Sequence, residues 1–170
     1  MSERQVYQHV VHTFGPVYNE NSRILILGSM PSPASREAGF YYGHPRNRFW
    51  KVLAELFGVP LPGSIEEKKT LVLSQGIALW DAIEECDIIG ASDSSVKNVV
   101  PTKIPELLKQ TQVEWILCNG ALSKKIYDKF QLKQTGMPAV QMPSTSPANA
   151  AWSLEKLVEE WKIISVYMKK

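Results

Sequence analysis

The sequence predicts an α/β fold: a parallel sheet with helices on both sides, built by one domain over residues 1–170. Three observations predict it. Short, mainly apolar runs at Ile24–Leu27, Ile77–Trp80, Val113–Cys118 and Ala139–Met142 have strand length and lack the strict alternation of a half-wet sheet. Helical patterns lie between these runs, and strands that alternate with helices form parallel crossover units. No repeat or low-complexity linker divides the chain, and 170 residues suffice for one sizeable core.

In chain order, Val6, Val10, Val11 and Phe14 fall at helical spacing, so a short amphipathic helix is expected over residues 4–14, stopped by Gly15-Pro16. The first strand, Arg23–Leu27, opens a long loop with three prolines, two glycines and the pair Tyr41-Tyr42. A helix follows from about Asn47 to Phe57, with Phe49, Trp50, Leu53, Leu56 and Phe57 on one face. Ser64 and Glu67 form a capping-box pair for a helix that runs through Leu73. Gly76 ends it, and the second strand runs into Asp81. Residues 81–102 are polar and irregular. A short helix over 103–110, the third strand, a helix over 121–130, the fourth strand and a final helix over about 153–168 complete the chain.

Composition excludes several classes. With 44% hydrophobic and 21% charged residues, the chain is neither disordered nor fibrous. No apolar run reaches bilayer length and the first ten residues lack an apolar signal core, so a cytoplasmic protein is expected. Cys86 and Cys118 are too few for a four-thiolate metal site, and Cys118 ends an apolar run as a buried thiol would. A net charge of +2 permits a polyanionic partner without demanding one.

Three polar segments follow strand ends: the long loop after strand one, Asp81 after strand two, and MPSTSPAN after strand four. Ligands of open α/β sheets bind outside the carboxyl ends of the strands, and long ordered loops are commonly functional. Each segment alone also reads as an ordinary turn.

Taken together they resemble a known family. GSMPSPAS with FYYGHPRNRFWKV, and later MPSTSPANA, are similar to the two active-site motifs of the uracil-DNA glycosylase superfamily. HPRNRFWKV resembles the mismatch-specific uracil/thymine-DNA glycosylase branch. GIALWDAIEEC, SDSSV and YYGHPRN more closely resemble the hypoxanthine-DNA glycosylase (DNA-deoxyinosine glycosylase) branch. The resemblance spans about residues 23–165. It implies a three-layer α/β/α sandwich on a short central parallel sheet of about four strands. It also implies a monofunctional enzyme of base excision repair that flips a deaminated base from DNA and hydrolyses its N-glycosidic bond with water. No metal or cofactor is implied, DNA is the partner, no membrane is involved, and a monomer is expected.

The residues can be weighed for that task. A pocket must hold the extruded base, and an aromatic face supplies ~1–3 kcal/mol per base. By the resemblance Tyr42 is the stacking platform, with one of the two neighbouring tyrosines packing and the other stacking. Gly28, Met30 and Asp81 complete the expected base-binding set. Most branches place an acid or amide just after the first glycine, where this chain has Ser29 and Met30; Ser29 has only a hydroxyl to orient water. The resemblance assigns the water to Asn47, whose amide oxygen can accept from it; Asn47 also fits as a helix cap, and one residue can do both. Asp81 is either a reader of a base N–H or, with Glu84, a helix cap. Met142 stands where other branches carry a catalytic histidine or asparagine. Met142, Pro143, Ser144, Thr145 and Ser146 form the expected DNA-binding loop, the three hydroxyls donating to phosphates. His44 is either a substitute for that catalytic group or, as is commoner for a histidine before proline, a structural turn residue. Arg46, Arg48, Lys51, Lys124 and Lys125 are candidate phosphate contacts or plain solvated charges.

The favoured substrate is deoxyinosine; uracil or mismatched thymine is the runner-up. A catalytically idle DNA-binding module and a small-molecule nucleotide-binding protein are the readings from other classes, although GSMPSPAS lacks the glycines and lysine of a P-loop.

Overall fold

The chain enters the fold as a strand. The computed structural model describes residues 6–169, and β1 (Gln8–Val11) stands where a helix was expected over 4–14; residues 4 and 5 lie outside the described residues. The helical spacing was coincidental. Val10 is buried while Val6 and Val11 are exposed, so the expected apolar stripe is never covered. Pairing with a neighbouring strand outweighs a four-residue pattern.

That neighbour is part of the second correction. Residues 81–102 are not irregular. They hold β4 (Ile83–Ile88), a 3₁₀ turn at Asp93–Ser95 and an antiparallel β5 (Lys97–Pro101), giving a three-stranded sheet of order β1-β4-β5. β4 leaves directly from β3 (Ile77–Asp81), so Asp81 caps no helix. The amides of Ala82 and Ile83 donate to the carbonyls of Gly28 and Ser29 at 2.8 and 3.0 Å, and the chain crosses from one sheet to the other without a loop.

The main sheet has four parallel strands. β2 (Ile24–Gly28) lies between β3 and β6 (Trp115–Asn119), and β7 (Ala139–Met142) pairs with β6. Every residue of β2 is buried, as its continuous apolar run predicts. Ile24 and Ile26 face one layer: α2 (Phe49–Phe57), α3 (Ile65–Ser74), α7 (Leu154–Trp161) and α8 (Ile163–Met168). Leu25 and Leu27 face the other: α4 (Ile104–Lys109) and α5 (Ala121–Phe130), followed by the short α6 (Leu132–Thr135). The α/β/α sandwich is therefore present, and each of these β2 side chains contributes ~1.5–3 kcal/mol by leaving water.

Two helices differ from expectation. The long first loop contains α1 (Pro33–Ala38), capped by the Ser32 hydroxyl and closed by Gly39 at φ +74°. The final helix breaks at Lys162 into α7 and α8, which lets Leu157, Trp161 and Ile164 all stay buried. The Ser64 cap forms as expected, but the Glu67 carboxylate accepts from Gly63 rather than from Ser64. Among the described residues, no helix is long and apolar enough to cross a membrane.

Candidate active site

A half-open cleft of about 750 Å³ lies at the carboxyl ends of the parallel strands. The end of β2 contributes Gly28, Ser29 and Met30, and the following loop contributes Tyr42 and Asn47. β3 ends in Asp81, and β7 runs into Met142, Pro143, Ser144, Thr145 and Ser146. All eleven residues singled out in the sequence thus border one cavity. The turn between β4 and β5, with Gly90, Asp93 and Val96, supplies a wall that the sequence did not disclose.

The floor of the cleft is built around a glycine. A methyl group on Gly28 would lie 2.4 Å from Asp81 Oδ1, so the carboxylate rests against bare backbone. Asp81 Oδ2 is 2.7 Å from Nε2 of His12, with the two side chains 5% and 1% exposed. Asp81 Oδ1 accepts no hydrogen bond among the described residues, and Asp81 is one of the residues lining the cavity. Nothing in the sequence pointed to His12, because the segment that carries it was read as a helix.

Tyr41 and Tyr42 both border the cavity, and their rings are held differently. Tyr41 is buried, donates its hydroxyl to the Gly15 carbonyl at 2.8 Å and packs edge-on against Phe14 and Phe40. Tyr42, at φ +54°, turns toward the cleft and stacks on Phe49 with centroids 4.0 Å apart. Burial, then the charge of Asp81, pushes its phenol well above the usual range, so it stays a neutral donor. Burial likewise pushes the Cys118 thiol up to about 11.

Asn47 needs a correction. Its amide oxygen accepts from the Phe49 N–H at 2.9 Å, the cap, and from the Thr145 hydroxyl at 2.9 Å. Both lone pairs are engaged, so the oxygen is not open to water; the free part is the NH₂ group, a donor. Thr145 is also corrected. It is fully buried, its hydroxyl accepts from Asn119 Nδ2 at 3.0 Å while donating to Asn47, and its N–H donates to Asn119 Oδ1 at 3.0 Å. It cannot donate to a phosphate. Ser144 and Ser146 differ: each hydroxyl oxygen accepts a backbone N–H two residues on, and neither hydroxyl proton is engaged by that bond.

Arg48, a candidate phosphate contact in the sequence, is instead the clamp of the β7 loop. Its guanidinium donates to the carbonyls of Thr145, Ser146, Asn149 and Trp152. Lys124 pairs with Asp128 on its own helix. His44 Nδ1 accepts from the Arg46 N–H at 3.0 Å, a turn role as expected. Arg46 and Lys51 are exposed, and neither lines the cleft. Met142 is buried against the core and brings no charge to the site.

Comparison with known proteins agrees with this geometry. Residues 16–165 match the sequence profile of the uracil DNA glycosylase superfamily. A protein of Methanosarcina acetivorans named hypoxanthine DNA glycosylase is 30% identical over 152 residues, covering 89% of this chain and 95% of the relative. One of the same name from Methanosarcina barkeri is 37% identical over 138 residues, covering 80% and 86%. A solution NMR structure of a candidate uracil DNA glycosylase from Methanosarcina acetivorans superposes with a TM-score of 0.81 at 27% identity, covering 96% of this chain and all of that one. With its sheet, its strand-end cleft and both motif loops in place, the chain belongs to the uracil DNA glycosylase superfamily.

Proposed function

We propose that this chain is a monofunctional DNA glycosylase that removes hypoxanthine from deoxyinosine in DNA. The observation that carries the substrate is the free Oδ1 of Asp81, an acceptor held over Gly28 at the bottom of the cleft. Hypoxanthine presents an N1–H where adenine presents a lone pair, so a carboxylate there favours the deaminated base. Two relatives that carry the name hypoxanthine DNA glycosylase support the same choice.

In this reading the nucleotide is flipped at a cost of a few kcal/mol. Tyr42, already fixed by Phe49, offers a rigid aromatic border to the base, so little side-chain freedom is lost on binding. Gly28 and Met30 line the floor beside it. The NH₂ of Asn47 and the hydroxyl of Ser29 hold the water beneath the sugar. Neither is a strong base, which suffices when the base departs before the water attacks. Ser144 and Ser146, carried by a loop that Arg48 holds rigid, donate to the phosphates of the bent strand. Two buried free cysteines fit a reducing cytoplasm.

The test is to incubate the protein with duplexes carrying hypoxanthine, uracil, xanthine or a G·T mismatch and to cleave abasic sites with alkali. Breaks are expected first at hypoxanthine. Asp81→Asn should shift the preference among the lesions, and breaks at no lesion would overturn the assignment of activity.

A further inference from the structure

His12 has no part in the chemistry assigned so far, yet its side chain is buried against Asp81 at the cleft. It sits one residue past β1, where its N–H donates to the Glu84 carbonyl at 2.8 Å and extends the ladder with β4. Its ring packs edge-on against Phe14 at 4.8 Å and tilts toward Tyr41 at 6.0 Å. Nε2 reaches Asp81 at 2.7 Å, and Nδ1 is buried with no hydrogen-bond partner among the described residues.

That unpartnered nitrogen limits the pair. A proton on Nδ1 would be a buried donor with nothing to receive it, which costs more than a bare lone pair in the same place. The arrangement that leaves no orphan donor puts the proton on Nε2, donating to Asp81 Oδ2. The bond from Nε2 to Oδ2 is stronger to the carboxylate ion than to the neutral acid, and in the ion Oδ1 is a second acceptor. If Asp81 carried a proton, Oδ1 could donate, and a donor in that place suits the N1 lone pair of adenine.

We infer that His12 is a positioning residue that holds Asp81 as a pure acceptor toward the base, and that this pairing makes the cleft refuse adenine while admitting hypoxanthine. The inference rests on the reading of Asp81 as the residue that faces the base. Refusal matters chemically because adenine is the normal base from which hypoxanthine arises by deamination, so the two differ only at C6 and in the polarity of N1. Sites that hydrogen-bond one polarity reject the other strongly, since a mismatched group is left buried and unpaired.

The other titratable groups around the pair do not substitute for His12. Tyr41 and Tyr42 are neutral phenols whose deprotonation is opposed by burial and then by the Asp81 charge. Glu84 on β4 and Cys118 on β6 carry no positive charge. Among the described residues, His12 is the one side chain hydrogen-bonded to the Asp81 carboxylate.

The experiment compares the wild type with His12→Phe, His12→Gln and Asp81→Asn. It measures single-turnover release of hypoxanthine from pH 5 to 9. It also measures binding to duplexes carrying 2′-fluoro-deoxyinosine or 2′-fluoro-deoxyadenosine, whose glycosidic bonds resist cleavage. In His12→Phe the single-turnover rate should fall, and the preference for the inosine duplex should fall at least fivefold. Gln places an amide donor near the former Nε2 and should restore both. If Asp81→Asn changes the preference and His12→Phe does not, the role of His12 is refuted and the base-reading role of Asp81 stands. If Asp81→Asn changes nothing, the reading beneath both is refuted. Should His12→Phe fail to fold, ¹⁵N-resolved NMR of the wild-type imidazole decides: a proton on Nε2 supports the inference, and one on Nδ1 overturns it.

Discussion

The Thr145 hydroxyl donates to the Asn47 amide oxygen at 2.9 Å, joining two motif loops that lie 98 residues apart in the chain. Thr145→Ala removes that donor and leaves the Asn119 amide without its acceptor, a loss of roughly 1–3 kcal/mol for buried groups. Lower denaturation midpoints and a slower single-turnover rate are expected together, and Thr145→Ser should recover most of both.

Asn47→Ala should abolish base release while binding of lesion DNA largely survives. It also removes the cap on the Phe49 N–H, at about 1 kcal/mol. The two effects separate in Asn47→Asp, which keeps the capping oxygen and loses the NH₂. A variant at near-normal single-turnover rates would eliminate the water-holding role.

Arg48 and Arg46 are near neighbours with different duties. Arg48→Ala frees four loop carbonyls from a charged donor, so stability should fall by roughly 2 kcal/mol or more while the salt dependence of DNA binding stays unchanged. Arg46→Ala, if Arg46 contacts a phosphate, should leave stability intact and lower the slope of log affinity against log salt by about 1. Titrations at several salt concentrations distinguish them.

Gly28→Ala places a methyl where Asp81 Oδ1 now lies. The carboxylate must move or its hydrogen bond with His12 must stretch, so hypoxanthine release should drop at least tenfold, with little change in binding of undamaged duplex. A variant as active as the wild type would show that the contact is dispensable.

On the open face of the smaller sheet, His9 is hydrogen-bonded to Asp87, and Asp87 also accepts from Asn98 at 2.8 Å. The bond with Asp87 raises the His9 pKa above 6.5; the bonds from Asn98 and then His9 lower that of Asp87 below 3.8. The His9 contribution is complete below 6.5 and fades as pH climbs through its raised value. The Asp87 contribution is complete above 3.8 and fades as pH falls through its lowered value. Both groups lie at the surface, His9 more exposed than Asp87, so the effect is small and local. Amide exchange in β1, corrected for intrinsic rates, should be slowest between those limits, and His9→Ala should flatten the profile.

The parallel sheet was legible because a strand buried on both faces leaves a continuous apolar run that little else explains. The cleft was legible because motif residues cluster at strand ends, where this architecture gathers ligands. β1 was not, since four apolar residues over nine positions fit a helix as well as a strand, and the strand forms only because β4 offers an edge. β4 and β5 were hidden for a related reason: one face of their sheet is exposed, so Glu85, Asp87, Lys97 and Asn98 made the segment look like loop. His12 became visible only when β1 was placed beside β4. Arg48 and Thr145 were read as surface donors because a sequence cannot show that a loop folds back over them.

An enzyme that searches a genome must test vast numbers of sound nucleotides for each damaged one, and it cannot afford to rebuild its reading surface at every step. On the proposed reading, in which the β7 loop meets the double helix, the Arg48 clamp removes that delay: with the carbonyls of residues 145, 146, 149 and 152 tied to a single guanidinium, that surface arrives already shaped.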